Sequence, residues 1–141
     1  MDRLGRIGSL AVAVVIAVAS TGCGSGAPTP AADGSMPVTL TEWKVTAPAQ
    51  GSAGSITFAV SNSGTQIHEF VVVKTDLKAD ALAVVDNKID ESVLTPVDEI
   101  EDIAVGASPS LVVDLAAGHY VLLCNIESHY EQGMRADFDV K

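Results

Sequence analysis

The stretch whose reading decides the fold is HYVLLCNIESHYEQGMRADFDV, His119 to Val140. In its first half Tyr120, Leu122 and Cys124 share one parity. In its last seven residues Met134, Ala136, Phe138 and Val140 share a parity, with Arg135, Asp137 and Asp139 opposite. A period of two is the mark of a strand with one buried face. Two such strands joined by a loop bring Cys124, at the end of one, beside Met134, at the start of the next. Both side chains face inward, and the loop between them carries His129. His119 has the opposite parity to Cys124 and falls on the outer face.

Working outward, the same alternation recurs. SITFAVSN (55–62) places Ile56, Phe58 and Val60 inward, and PSLVVDL (109–115) does so with Leu111, Val113 and Leu115. IHEFVVVKT (67–75) is apolar on both faces, as a central strand is, and its parity aligns His68 with Phe70 and Val72. His68 therefore stands at the start of a strand and points into the core. VTLTEWKV (38–45) changes parity between Leu40 and Trp43, which predicts a bulge or bend near Glu42. Seven or so short strands separated by turns predict an all-β fold, an antiparallel Greek-key β-sandwich over residues 37–141.

Residues 77–103 fit this pattern least. Ala79 to Val85 can form a short helix, with a long connection after it. Nine of the chain's 18 carboxylates lie between Asp76 and Asp102, against only Lys78 and Lys88. A solvated excursion accounts for them, and so does a docking patch for a basic partner.

Cys124, His129 and Met134 recur at intervals of five. Thiolate and imidazole are strong ligands for borderline and soft metals, whereas the thioether is a weak ligand that mainly copper tolerates. A site of two His, one Cys and a distant Met needs one more imidazole, and His68 is the upstream candidate. Zinc suits two imidazoles and a thiolate but not a thioether. An iron–sulfur cluster needs more thiolates. Each ligand residue alone is also an ordinary core or surface residue; the case lies in their combination.

The chain opens as an export signal. Arg3 and Arg6 precede an unbroken apolar run, Leu10 to Ala19, whose ten residues are too few to span a bilayer. STGC follows, and small residues immediately before Cys23 resemble the lipobox of bacterial lipoproteins, with Ser20 where that motif carries an aliphatic residue. The resemblance implies residues 1–22 as signal peptide, acylation of Cys23, and anchorage to the outer face of a bacterial membrane. Ordinary cleavage nearby, giving a soluble periplasmic or secreted protein, is the alternative. Residues 23–36, rich in Gly, Ser, Ala and Pro, read as a flexible tether. A disulfide between Cys23 and Cys124 would consume the one thiolate the loop offers.

The formal net charge of -10 argues against nucleic acid, which requires a basic footprint. A nucleophilic enzyme built on Cys124 would need an accessible thiolate, which a core-facing side chain is not. A multicopper enzyme would need more His than the three present.

Taken together, the isolated His68 at a strand start, the Cys124–Asn125 pair, His129 and Gly133–Met134 resemble the cupredoxins, the type 1 (blue) copper proteins. The resemblance covers about residues 37 to 141. It implies one copper ion, held by His68, Cys124 and His129 in a plane with Met134 axial, and one-electron transfer between redox protein partners rather than catalysis. Asn125 is then expected to hydrogen-bond across the loop and fix the ligands. Glu69 departs from the Asn or Ser common after the first His, and Leu123 from the Tyr of plastocyanin-like members. The exit route for electrons is then expected at the edge of His129, flanked by Ile126 and Tyr130. A copper chaperone or storage lipoprotein using the same ligands is the alternative function.

Overall fold

The computed structural model describes residues 27–141; the segment read as a signal peptide, Cys23 and the first part of the expected tether lie outside the described residues. From Ala31 the chain turns, with the Ala31 N–H on the Ser35 carbonyl (2.8 Å) and the Asp33 carboxylate accepting from Ser35, and it enters the first strand at Met36.

Eleven strands follow: β1 (Met36–Thr41), β2 (Lys44–Thr46), β3 (Gln50–Gly51), β4 (Gly54–Asn62), β5 (His68–Lys74), β6 (Val84–Val85), β7 (Lys88–Ile89), β8 (Thr95–Ile103), β9 (Ser110–Leu115), β10 (Gly118–Leu123) and β11 (Arg135–Val140). They form a four-stranded sheet, β2-β1-β4-β9, facing a five-stranded one, β3-β11-β10-β5-β8, with β6 and β7 as a separate small hairpin. The expected all-β sandwich is what the chain forms. Its sheets are mixed rather than purely antiparallel, because β1 pairs parallel with β4 and β3 with β11. The chain leaves β1, descends through β2 and β3 at the sheet edges, and rises again in β4 beside β1.

Strand parity sets the core as read. Ile56, Phe58 and Val60 from β4 and Leu111, Val113 and Leu115 from β9 meet Phe70, Val72, Tyr120, Leu122 and Phe138 from the other sheet. Phe58 stands edge-on to both Phe70 and Phe138, with centroids 5.4 Å away in each case, the arrangement that aromatic quadrupoles favour.

Three expectations need correction. The parity change in residues 38–45 is a two-residue hairpin turn and not a bulge: Leu40 pairs with Val45 and Thr41 with Lys44, leaving Glu42 and Trp43 at the tip, with Trp43 at φ 65°. A reversed chain puts Leu40 and Val45 on one face, which a continuous strand could not. Ala79 to Val85 is not a helix, and no α-helix occurs among the described residues. Finally, the acidic connection contains the nine-residue strand β8, paired to β5 at the sheet edge. It escapes the alternation test because nearly every side chain on it is exposed. Its charges, Pro96 and two register shifts against β5 blunt an edge that could otherwise recruit another strand.

Nor is the excursion simply solvated. Ala79, Leu82 and Ile89 pack with Val71, Val73, Val121, Leu123 and Tyr130 into a second buried cluster. Residues 76–94 thus cover the outer face of β5 and β10, which explains why those strands are apolar on both sides. Among the described residues no helix is long and apolar enough to cross a membrane.

Candidate metal centre

Cys124 directly follows β10, and its N–H donates to the Met134 carbonyl (3.1 Å), one step beyond the β10–β11 ladder. The ladder therefore fixes both ends of the loop. Inside it, the chain bonds to itself: His129 N–H to Ile126 O (2.9 Å), Gly133 N–H to Tyr130 O (3.0 Å), Met134 N–H to His129 O (3.1 Å). The Arg135 guanidinium donates to the Tyr130 carbonyl and lies 4.9 Å from its ring centroid. Gly133 adopts φ 122°, and a Cβ there would stand 2.8 Å from the Trp43 carbonyl oxygen. Only glycine allows the loop to settle on the β1–β2 turn.

This loop meets the start of β5. His68, Cys124 and His129 are buried and present ligand atoms all within 4.8 Å of one another. His68 Nδ1 lies 3.3 Å from His129 Nδ1, which lies 3.4 Å from Cys124 Sγ. Met134, fully buried, follows from the loop's far end. The structure thus brings together the two His and the Cys singled out from sequence, with Met134 bonded through its backbone to both Cys124 and His129.

The electrostatics suit a metal. Burial pushes both imidazoles below their ordinary values, and for His129 the neighbouring His68 adds to the effect. Both rings are therefore neutral near pH 7 and offer lone pairs rather than positive charge. Burial raises the Cys124 thiol, so an incoming cation must displace its proton. The Glu69 N–H donates to Cys124 Sγ (3.4 Å), an interaction that favours thiolate over thiol. Two neutral imidazoles and one convertible thiol, converging in a desolvated pocket, form a donor set that fits a borderline-to-soft metal ion.

Asn125 does not bond across the loop; its side chain bonds the excursion instead. Its Oδ1 accepts from Ile89 N–H (2.6 Å), and its Nδ2 donates to Ile89 O (3.0 Å) and Glu91 Oε1 (2.6 Å). Glu69, although it replaces the Asn or Ser common at that position, still joins the two ligand segments through its backbone N–H. His119 stays away from the site, bonded to the Thr75 carbonyl (2.8 Å) and the Asp137 carboxylate (2.9 Å). Tyr130 does not flank His129 at the surface. It is buried in the second cluster, where its hydroxyl donates to Ala79 O (2.5 Å) and accepts from Leu82 N–H (3.1 Å).

Sequence reasoning missed two neighbours of the site, both in the β1–β2 turn. Trp43, 37% exposed, stands edge-on to His129 with ring centroids 5.2 Å apart. The Glu42 carboxylate lies 3.4 Å from His68 Nε2 and accepts from the N–H groups of Thr65 (2.6 Å) and Gln66 (3.0 Å). The Thr65 N–H is the main cause holding Glu42 below the ordinary carboxylate range. The parity change at 41–45 was the available signal, since a turn there points its tip toward whatever the adjoining strands end on.

No protein-family model matches the chain, and no curated protein matches it. Solved structures do. Dithionite-reduced auracyanin from the photosynthetic bacterium Roseiflexus castenholzii is similar at a TM-score of 0.57 and 22% identity, over 74% of this chain and 94% of that one. Auracyanin A from Chloroflexus aurantiacus, described as a "blue" copper protein, gives a TM-score of 0.52 at 21% identity, over 74% and 99%. Rusticyanin from Thiobacillus ferrooxidans gives 0.55 at 17% identity, over 74% and 76%. The two facing sheets, with a buried His–Cys–His group where β5 meets the β10–β11 loop, thus have the fold of the cupredoxins.

Proposed function

We propose that this protein is a type 1 copper electron carrier, exported and held to the outer face of a bacterial membrane through acylated Cys23. The observation that carries the redox reading is the convergence of His68, Cys124 and His129 within 4.8 Å in a buried pocket. Copper bound there would supply one-electron chemistry by alternating between Cu(I) and Cu(II). His68, Cys124 and His129 are the main ligands in this reading, and Met134 is the weak fourth.

The chain's own contribution is to hold these donors still. Cu(I) and Cu(II) prefer different surroundings, and a donor set that cannot rearrange keeps the cost of each electron transfer small. The strand ladder at Cys124 and Met134, the self-bonded loop and the Asn125 bridge supply that rigidity. A chaperone or store passes metal by exchanging ligands, which favours exposed sulfur. Here Cys124 and Met134 are fully buried, which supports the carrier over the chaperone. His129, 5% exposed and met edge-on by the exposed Trp43, is the ligand nearest solvent. Electrons pass at this edge, with Trp43 and Ile126 as its flanks. The partners are redox proteins, and the carboxylates of β8 favour a basic one.

The deciding experiment is addition of Cu(II) to the protein. An intense blue band that bleaches reversibly with one electron per copper is expected; a colourless or pale complex overturns the reading. Anchorage is tested separately: Cys23→Ser should release the protein from the membrane fraction, and unchanged retention would refute the lipid anchor.

A further inference from the structure

The β1–β2 turn delivers a carboxylate to the back of a ligand imidazole. His68 is fully buried, and its Nε2 has no hydrogen-bond partner. The Glu42 carboxylate lies 3.4 Å away, within ion-pairing reach of it. A buried ring N–H left unmatched is costly, and the Glu42 carboxylate is an acceptor within reach when Nε2 carries the proton. Glu42 is not there by chance of rotamer. Its Oε1 is gripped by the Thr65 and Gln66 N–H groups, in the turn leading into β5. That turn is itself held by Asn62, which accepts from the Gly64 N–H (3.0 Å) and donates to the Gln66 and Ile103 carbonyls (2.8 Å each). Gly64 leaves the necessary room: a Cβ there would collide with both Glu42 carboxylate oxygens and stand 2.9 Å from His68 Nε2.

We infer that Glu42 is a positioning residue for the metal centre: it holds the His68 proton on Nε2, frees Nδ1 for the metal, and favours Cu(II) over Cu(I). The inference rests on the copper reading for its redox part only. A carboxylate behind a ligand imidazole fixes the ring's tautomer and orientation and makes the nitrogen a stronger donor. Its negative charge stabilises the more highly charged ion more.

Two variants of the full chain test this. Glu42→Gln keeps an oxygen for Thr65 and Gln66 but removes the charge. Glu42→Asp keeps the charge but draws the carboxylate back from the ring. Each should lower Cu(II) affinity by about tenfold or more and Cu(I) affinity distinctly less, as measured by competition with chelators. A tenfold change in the ratio corresponds to a reduction potential higher by about 59 mV for one electron. In the metal-free protein, nitrogen NMR of the ring should find His68 as the Nε2–H tautomer, with Nδ1–H gaining population in both variants. An unchanged affinity ratio together with an unchanged tautomer overturns the role of Glu42 and leaves the copper reading standing. Absence of a blue band in the unmodified chain overturns the copper reading, and the tautomer measurement then decides the positioning role alone. Should Glu42→Gln fail to fold, Glu42→Asp decides.

Discussion

At the scale of single residues, Cys124 and Met134 carry opposite predictions. Cys124→Ser replaces the one thiolate with a hydroxyl that binds soft metal poorly. The blue absorption should disappear entirely while the circular dichroism of the sandwich persists; a surviving blue band would refute the ligand assignment. Met134→Leu preserves volume and burial but removes the thioether. The colour should persist and the reduction potential rise, because an axial sulfur stabilises Cu(II). Voltammetry showing no change would remove Met134 from the centre. All four proposed ligands were legible in the sequence: strand parity aims His68, Cys124 and Met134 inward, and the spacing of donors in the loop singles out His129. Glu42 and Trp43 were not, because a turn has no periodicity and its contacts depend on where the rest of the chain brings the ligands.

The element that departs furthest from expectation is the excursion between β5 and β8. Its apolar residues are too sparse to form a pattern, yet Ala79, Leu82 and Ile89 complete a second core on the outside of the β5–β10 pair. It is fastened by side chains of the metal loop: Asn125 holds Ile89 through both backbone groups, and the Tyr130 hydroxyl bridges Ala79 and Leu82. Tyr130→Phe strands a buried N–H and a carbonyl and should cost about 1–3 kcal/mol. The urea midpoint should fall at constant slope, with faster amide exchange confined to residues 79–94. Exchange increasing evenly across the sandwich would show instead that the excursion is not a separate unit.

The two sheets are joined as a whole by the aromatic contacts of Phe58. Phe58→Ala leaves a void against Phe70 and Phe138 and should cost about 3–5 kcal/mol, visible as a large drop in melting temperature of the metal-free protein. The acid side of the stability profile involves Asp137, which ties β11 to the excursion through the Ala79 N–H (2.9 Å) and to His119. Burial acts to raise this carboxyl, but the Ala79 N–H and the His119 ring outweigh it and leave it lowered. A depressed carboxyl adds stability that is complete above its unfolded value, about 3.9, and is lost as pH falls through the folded value. Asp137→Asn should therefore be less stable than the unmodified protein at pH 7, by no more than about 1 kcal/mol for so exposed a group. The difference should close in acid, as chemical denaturation at pH 7 and pH 3 would show; a constant difference would refute the linkage.

What the sequence determined by itself is what period two can encode. The inward faces of β4, β9, β10 and β11, the central character of β5, and the inward aim of His68, Cys124 and Met134 follow from alternation, since one face of each strand must leave water. The tertiary structure alone decided the rest. Whether residues 38–45 form one bent strand or a hairpin depends on the sheet edge that Val45 must cover. Whether an exposed acidic segment is a connection or the strand β8 depends on the free edge of β5, because backbone hydrogen bonds carry no side-chain signature. The placement of Glu42 behind His68 depends on both, as it requires the β1–β2 turn and the turn before β5 to meet at one end of the sandwich.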